Sequence, residues 1–314
     1  VLDQFKDLIE HLNRGRTGPR LRGHINVTGG EPFVRADFPD LLDAFRREKE
    51  YLDVGILTNG TFLDEPTVRR LRKLGVAWVQ VSLEGGRETN DRIRGPGAFD
   101  RTLLALKHLV RERVPSAISF TAHRGNFREF PDVAQTGREL GVTLVWADRL
   151  IPYGRGSELR EQLLSPEETL EFFEIMYASH NDAARGFCRT KIAMHRALQF
   201  LVGGGRPYQC GAGNWLVTIQ PNGDLYPCRR MPVRVGNVME TPLVELYEES
   251  DLFRALRVRD RVSEGCEACR YAQECRGGLR CLSYALTGDP FEADPGCWHA
   301  LRTREREGCA AVLP

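Results

Sequence analysis

The sequence predicts an α/β fold built on a parallel sheet, followed by a smaller cysteine-rich region with one β-hairpin. Three observations carry that expectation. Short apolar runs alternate with amphipathic helical runs through the first half, the alternation stops near residue 150, and eight of nine cysteines lie between Cys210 and Cys309. A chain of 314 residues suits about two domains. Hydrophobic residues at 41% and charged residues at 28% are ordinary for a globular protein and exclude disorder. Forty-four Lys and Arg against 43 Asp and Glu leave a formal charge of +1, so no nucleic-acid partner is expected. No run approaches the roughly 18 apolar residues of a spanning helix, and Val1–Asn13 lacks a signal peptide's apolar centre. A soluble, cytoplasmic protein without a membrane partner is expected.

Strands are predicted at His24–Thr28, Asp53–Thr58, Ala77–Leu83, Ala117–Thr121 and Thr143–Ala147. Helices fill the gaps at Phe38–Lys49, Glu65–Leu74, Phe99–Arg113 and Phe127–Leu140. Phe99, Leu103, Leu106 and Val110 would give the third of these its apolar face. Strict alternation implies βαβ crossovers and parallel strands, open or curled toward a barrel. The chain opens on a helix, Val1–Asn13, with Leu2, Phe5, Leu8, Ile9 and Leu12 on one face. Such a helix normally follows a strand, so the start reads as truncated. After Arg149–Gly156, helices are predicted at Ser165–His180 and Arg189–Leu201. A hairpin then runs from Trp215–Gln220 through Pro221-Asn222-Gly223 to Asp224–Pro227, because Asn-Gly between alternating apolar runs is a strong turn signal. One more helix is predicted near Leu243–Arg257.

Two motifs carry chemistry. Gly29-Gly30-Glu31-Pro32 follows the first strand, at the end where βα folds bind ligands. Paired glycines let a ligand approach the backbone, although a plain strand-to-helix turn would use the same residues. The second motif is the thiols: Cys210-x12-Gly223-x4-Cys228, then Cys266-x2-Cys269-x5-Cys275-x5-Cys281, then Cys297. With Cys188 they number eight, enough for two four-thiolate sites of zinc or iron–sulfur type.

Taken together the motifs resemble radical S-adenosylmethionine (SAM) enzymes that carry a SPASM auxiliary-cluster domain, particularly those maturing ribosomal peptides. Leu57-Thr58-Asn59-Gly60, Val81–Gly85 with Asp91–Gly95, and Gly288-Asp289-Pro290 with Asp294–Cys297 support it. The resemblance implies a partial (β/α)6 barrel whose first strand and cluster loop are missing here, then a small Cys-rich domain with a hairpin. Residues 1–155 would be the barrel, 156–205 a helical linker and 206–314 the SPASM domain. It implies SAM and 4Fe–4S clusters: one SAM-binding cluster and two auxiliary ones. The SAM-binding cluster's Cys-x3-Cys-x2-Cys occurs nowhere in the chain; loss of the segment and a degenerate, non-catalytic relative are the competing explanations.

By the same resemblance, Gly29, Gly30, Glu31 and Pro32 meet the SAM amino group, and Ser82 is a candidate for its carboxylate or ribose. Thr121 and Ile151 lie where ribose and adenine bind, although a Ser or Thr ending a strand is commonly a cap. Cys266, Cys269, Cys275 and Cys297 would hold the distal auxiliary cluster. Cys210, Cys228 and Cys281 would hold the proximal one, with Cys188 as its fourth ligand. Position 279 is Leu where many relatives carry a thiol. Cys309 is expected to be an unpaired tail thiol. Tyr153 and Arg155 are candidate substrate contacts; His123 and Asn126 are expected to serve a turn. The resemblance implies a radical oxidoreductase that modifies a peptide by crosslinking or epimerisation. It would draw electrons from a flavodoxin or ferredoxin. A tetrapyrrole substrate, sulfatase maturation and a metal-stabilised binding protein are the alternatives.

Overall fold

The computed structural model describes residues 1–299 except Phe187, and for Arg155 only the backbone. By its contacts the chain forms two compact units. One contains Arg16–Arg149 and Glu174–Met194, the other Val1–Gly15, Leu150–Phe173 and the residues from His195 onward.

The first unit is a six-stranded parallel sheet in sequential order. Its strands are β1 (Gly23–Val27), β2 (Leu52–Thr58), β3 (Trp78–Ser82), β4 (Ser116–Ala122), β5 (Leu144–Arg149) and β6 (Lys191–Ile192). This is the partial barrel architecture expected from the sequence. Ile56, Val79, Val81, Ile118 and Val145 are fully buried, as parallel strands covered on both faces require. Its crossovers carry α2 (Phe38–Arg47), α3 (Glu65–Leu74), α4 (Arg87–Arg94), α5 (Ala98–Arg111) and α6 (Phe130–Leu140). A long helix α7 (Pro166–Arg185) precedes β6 and is divided between the two units.

Two expectations fail in this unit. Arg189–Leu201 is not a helix; it supplies the sixth strand. The Thr190 hydroxyl donates to the carbonyls of Val142 and Gly137, which pins the chain beside β5. Leu198, at φ +70°, then bars a continuous helix. The buried face of α5 is also rotated from the expected stripe. It consists of Ala98, Thr102, Ala105, Leu106 and Leu109, while Phe99, Leu103 and Val110 are half-buried flanks.

The second unit begins with α1 (Leu2–Asn13). Leu8 packs with Leu225, Val238, Leu243, Tyr247 and Phe253, and Gln4 accepts from the Leu243 N–H. The opening helix therefore groups with the cysteine-rich region rather than the sheet. Further along come α8 (Phe200–Gly203) and the predicted hairpin, β7 (Thr218–Ile219) with β8 (Asp224–Tyr226). A third antiparallel strand, β9 (Gly236–Asn237), extends it. The helix predicted at Leu243–Arg257 is two, α9 (Leu243–Glu249) and α10 (Asp251–Arg257), because the Ser250 hydroxyl turns to cap the Phe253 N–H. Short helices α11 (Ala272–Cys275) and α12 (Arg280–Thr287) complete it. No described helix is long and apolar enough to cross a membrane.

Candidate functional site

At the carboxyl end of β1, Gly29 and Gly30 are exposed, and a Cβ built on either meets no atom within 4 Å. The backbone there borders open space that a ligand can enter. Glu31 serves the loop itself. Its carboxylate accepts from the Thr58 hydroxyl at 2.7 Å, the Asn59 N–H at 2.7 Å and the Phe33 N–H at 3.3 Å. Leu57–Gly60 thus matters as the partner of this clamp, which ties the glycines to the end of β2. Pro32 is buried and opens a 3-10 turn.

The ends of β3 and β4 are joined by a buried polar frame. Glu84, 4% exposed, accepts from Arg94 and from the Thr121 N–H at 2.8 Å. The Asn126 amide donates to the carbonyls of Glu84 and Thr121, and its oxygen accepts from the His123 N–H. Asn126 is the turn residue expected. Ser82, half-buried, ends β3 two residues before this frame. His123 accepts from the Gly125 N–H through Nδ1, leaving Nε2 buried without a partner. Burial lowers its pKa, so the imidazole is neutral at pH 7. Sequence reasoning missed Glu84 and Arg94 as a pair, although both lie in the segments that marked the resemblance.

In the second unit the eight thiols considered divide clearly. Cys266, Cys269, Cys275 and Cys297 line one cavity, together with Tyr271 and Asp294. None is in a disulfide. Nested turns present the first three: the Cys269 N–H donates to the Cys266 carbonyl and the Ala272 N–H to the Cys269 carbonyl. Asp294 holds the fourth, accepting from the Leu279 and Gly296 N–H groups while its carbonyl takes the Cys297 N–H. Burial, then Cys297 and Asp294 nearby, push the Cys275 thiol up to about 12. Four thiols lining one cavity are a donor set that either a zinc ion or an iron–sulfur cluster uses.

The chain leaves Cys275 through three left-handed residues, Arg276, Gly277 and Gly278. A Cβ at Gly278 would meet Asp294 at 2.7 Å, so only glycine fits between the turn and that carboxylate. The turn delivers Arg280 and Cys281 into the first turn of α12. Cys281 is buried in one apolar cluster with Cys228, and Cys210 packs against it. Burial raises the Cys210 thiol; the Ala212 N–H, then Arg280 and Arg196, oppose the rise, and Cys228 adds to it.

Other expected residues are placed elsewhere. Ile151 packs against the same apolar cluster as Cys210, and Tyr153 is exposed. Cys188 lies in the sheet unit, not among the three packed thiols. The Thr190 N–H, and then the Thr190 hydroxyl and Arg138, lower its pKa. The Arg155 side chain and Cys309 lie outside the described residues.

The family profile of the radical SAM superfamily matches residues 2–136, and that of SPASM, an iron–sulfur cluster-binding domain, matches residues 210–275. An AdoMet-dependent heme synthase of Methanosarcina barkeri is 32% identical over 289 residues, covering 86% of this chain and 81% of that protein. A PqqA peptide cyclase of Gluconobacter oxydans is 30% identical over 279 residues, 87% of this chain and 76% of the cyclase. Mycofactocin maturase MftC of Mycolicibacterium smegmatis is 30% identical over 308 residues, 94% of this chain and 74% of the maturase. Among solved structures, anSMEcpe with bound AdoMet superposes with a TM-score of 0.73 at 17% identity, covering 99% of this chain and 84% of that one. Streptococcus suis SuiB bound to S-adenosylmethionine gives 0.72 at 16% identity, covering 94% and 70%. At those identities the likeness is one of fold.

Proposed function

Because the chain belongs to the radical SAM superfamily and carries a SPASM iron–sulfur cluster-binding domain, we propose that it modifies a peptide by radical chemistry. The observation that carries this reading is the cavity lined by four thiols outside any disulfide, within a chain similar to a PqqA peptide cyclase and a mycofactocin maturase. Bound SAM and a reduced cluster, whose Cys-x3-Cys-x2-Cys ligands this sequence does not contain, would supply the chemistry of hydrogen abstraction.

The chain's own residues have distinct tasks in this proposal. Gly29 and Gly30 offer backbone polar groups to the SAM amino end, and Glu31 holds their loop to β2. Pro32 sets the exit of that loop. Ser82 and Thr121 stand at successive strand ends for the carboxylate and ribose, with Glu84 and Asn126 keeping those ends in register. Cys266, Cys269, Cys275 and Cys297 would hold the distal auxiliary cluster, and Cys210, Cys228 and Cys281 the proximal one. A flavodoxin or ferredoxin would supply electrons, as expected of a cytoplasmic enzyme of this class.

The similarity to a heme synthase supports a second reading, a tetrapyrrole substrate. One experiment separates the two. The encoded protein, reconstituted anaerobically with iron and sulfide, is given SAM, a reductant and either a precursor-type peptide or an iron tetrapyrrole. Formation of 5′-deoxyadenosine coupled to a mass change in the peptide is the expected result. Coupling to the tetrapyrrole alone selects the second reading, and zinc in place of iron removes both.

A further inference from the structure

Two cations are buried beside the proximal thiols, and among the described residues neither meets a carboxylate. Arg280 is 2% exposed and Arg276 6%. Arg280 donates through Nη1 to the Leu256 carbonyl at 3.1 Å, and its guanidinium lies 5.4 Å from the centre of the Phe291 ring. Arg276 donates to the same carbonyl at 3.0 Å and to that of Val258. Each keeps a buried Nε with no acceptor.

Their surroundings make this arrangement unfavourable as it stands. Arg280 feels Arg276 and Arg261, and Arg276 feels Arg259, all of like charge. A buried charge without a counter-ion costs several kcal/mol. Backbone carbonyls solvate a cation but do not neutralise it. Cys210 lies near enough to both guanidiniums that its sulfur, once ionised, would favour their charge. Cys281 is the residue after Arg280, and Cys228 shares its apolar cluster. A strained left-handed Arg276 is kept at this point of the chain, at φ +57°, where glycine would be easier.

We propose that Arg280, supported by Arg276, is the buried counter-charge of the cluster held by Cys210, Cys228 and Cys281, and holds its reduction potential above that of the distal cluster. The inference rests on reading the two thiol sets as cluster sites. Adding an electron makes a thiolate-bound cage more negative. A cation at close range in a low-dielectric interior favours that reduced form. Asp294, a carboxylate lining the distal cavity, acts in the opposite direction there.

The test is a mediated redox titration of the anaerobically reconstituted encoded protein. Electron paramagnetic resonance follows each reduced cluster, and iron is counted per chain. In Arg280→Gln the reduced-to-oxidised ratio of the proximal cluster should fall at least tenfold at fixed potential. That equals 59 mV for one electron. The distal signal should not move, Arg280→Lys should recover most of the shift, and Arg276→Gln should give a smaller one of the same sign. Loss of proximal iron in Arg280→Gln with retention in Arg280→Lys also supports the proposal. An unmoved midpoint, equal shifts of both clusters, or equal iron loss in the Gln and Lys variants overturns it. An iron count unchanged by Cys210→Ala with Cys228→Ala instead shows that the proximal cluster reading itself is wrong.

Discussion

The two thiol sites of the cysteine-rich unit are opposites in their electrostatics. One gathers four thiols and a carboxylate, Asp294, around a single cavity. The other packs three thiols beside two buried guanidiniums. In the first, burial and neighbouring negative charge keep Cys275 protonated to about pH 12 without iron. In the second, the Ala212 N–H and then Arg280 oppose the rise that burial imposes on Cys210. One ligand type can therefore be placed in two different fields by a few residues on a single connecting turn.

The largest expected effect tests whether the sites load independently. Cys275→Ala should remove the distal cluster, about half of the auxiliary iron, and leave the proximal resonance in place. Loss of both together would erase the comparison. Next comes thiol reactivity in the metal-free protein. Cys188, with its lowered pKa, forms thiolate at a lower pH than an ordinary cysteine, whereas Cys275 does so only near pH 12. Alkylation at pH 8, read by mass spectrometry, should modify Cys188 at least about thirtyfold faster, after allowing for the greater nucleophilicity of the more basic thiolate. Equal rates would show that the fields do not differ as described.

The Glu84–Arg94 pair provides a reference in which a cation meets a protein carboxylate. Arg94→Ala should destabilise the metal-free protein by about 2–3 kcal/mol in a denaturant titration, because it strands a buried charge. Arg280→Gln should be neutral or stabilising in the same metal-free protein, since it deletes a buried charge that meets no carboxylate among the described residues. The smallest effect is expected from Asp294→Asn, which keeps one acceptor for the backbone. It should raise the distal reduced fraction by up to about tenfold, opposite in sign to the Arg280 variant.

Much of the fold was legible because its signals are local. Five of the six parallel strands and the helices between them follow from apolar runs bounded by turns. The Asn222-Gly223 turn marks the hairpin in the same way. The sixth strand was not legible, since two residues, Lys191 and Ile192, carry no periodicity. They become a strand only because Thr190 docks on the loop after α6. The short α4 and α12 were missed for a related reason: their ends are set by glycines and long-range contacts rather than by an apolar stripe. For the site, the family resemblance implied the distal set, while nothing in the sequence marked Arg276, Arg280 and Asp294 as buried.

By itself the sequence determined the parallel βα order, the glycine-rich loop after β1 and the clustering of thiols late in the chain. All of these depend on the identity and spacing of residues close in the chain. Tertiary structure alone decided which charges stand beside which thiols, and that Glu31 clamps a loop rather than facing the open space beside the glycines. Burial and electrostatic sign depend on what distant segments bring alongside. No spacing rule records whether an arginine between two cysteines points to water or into the core.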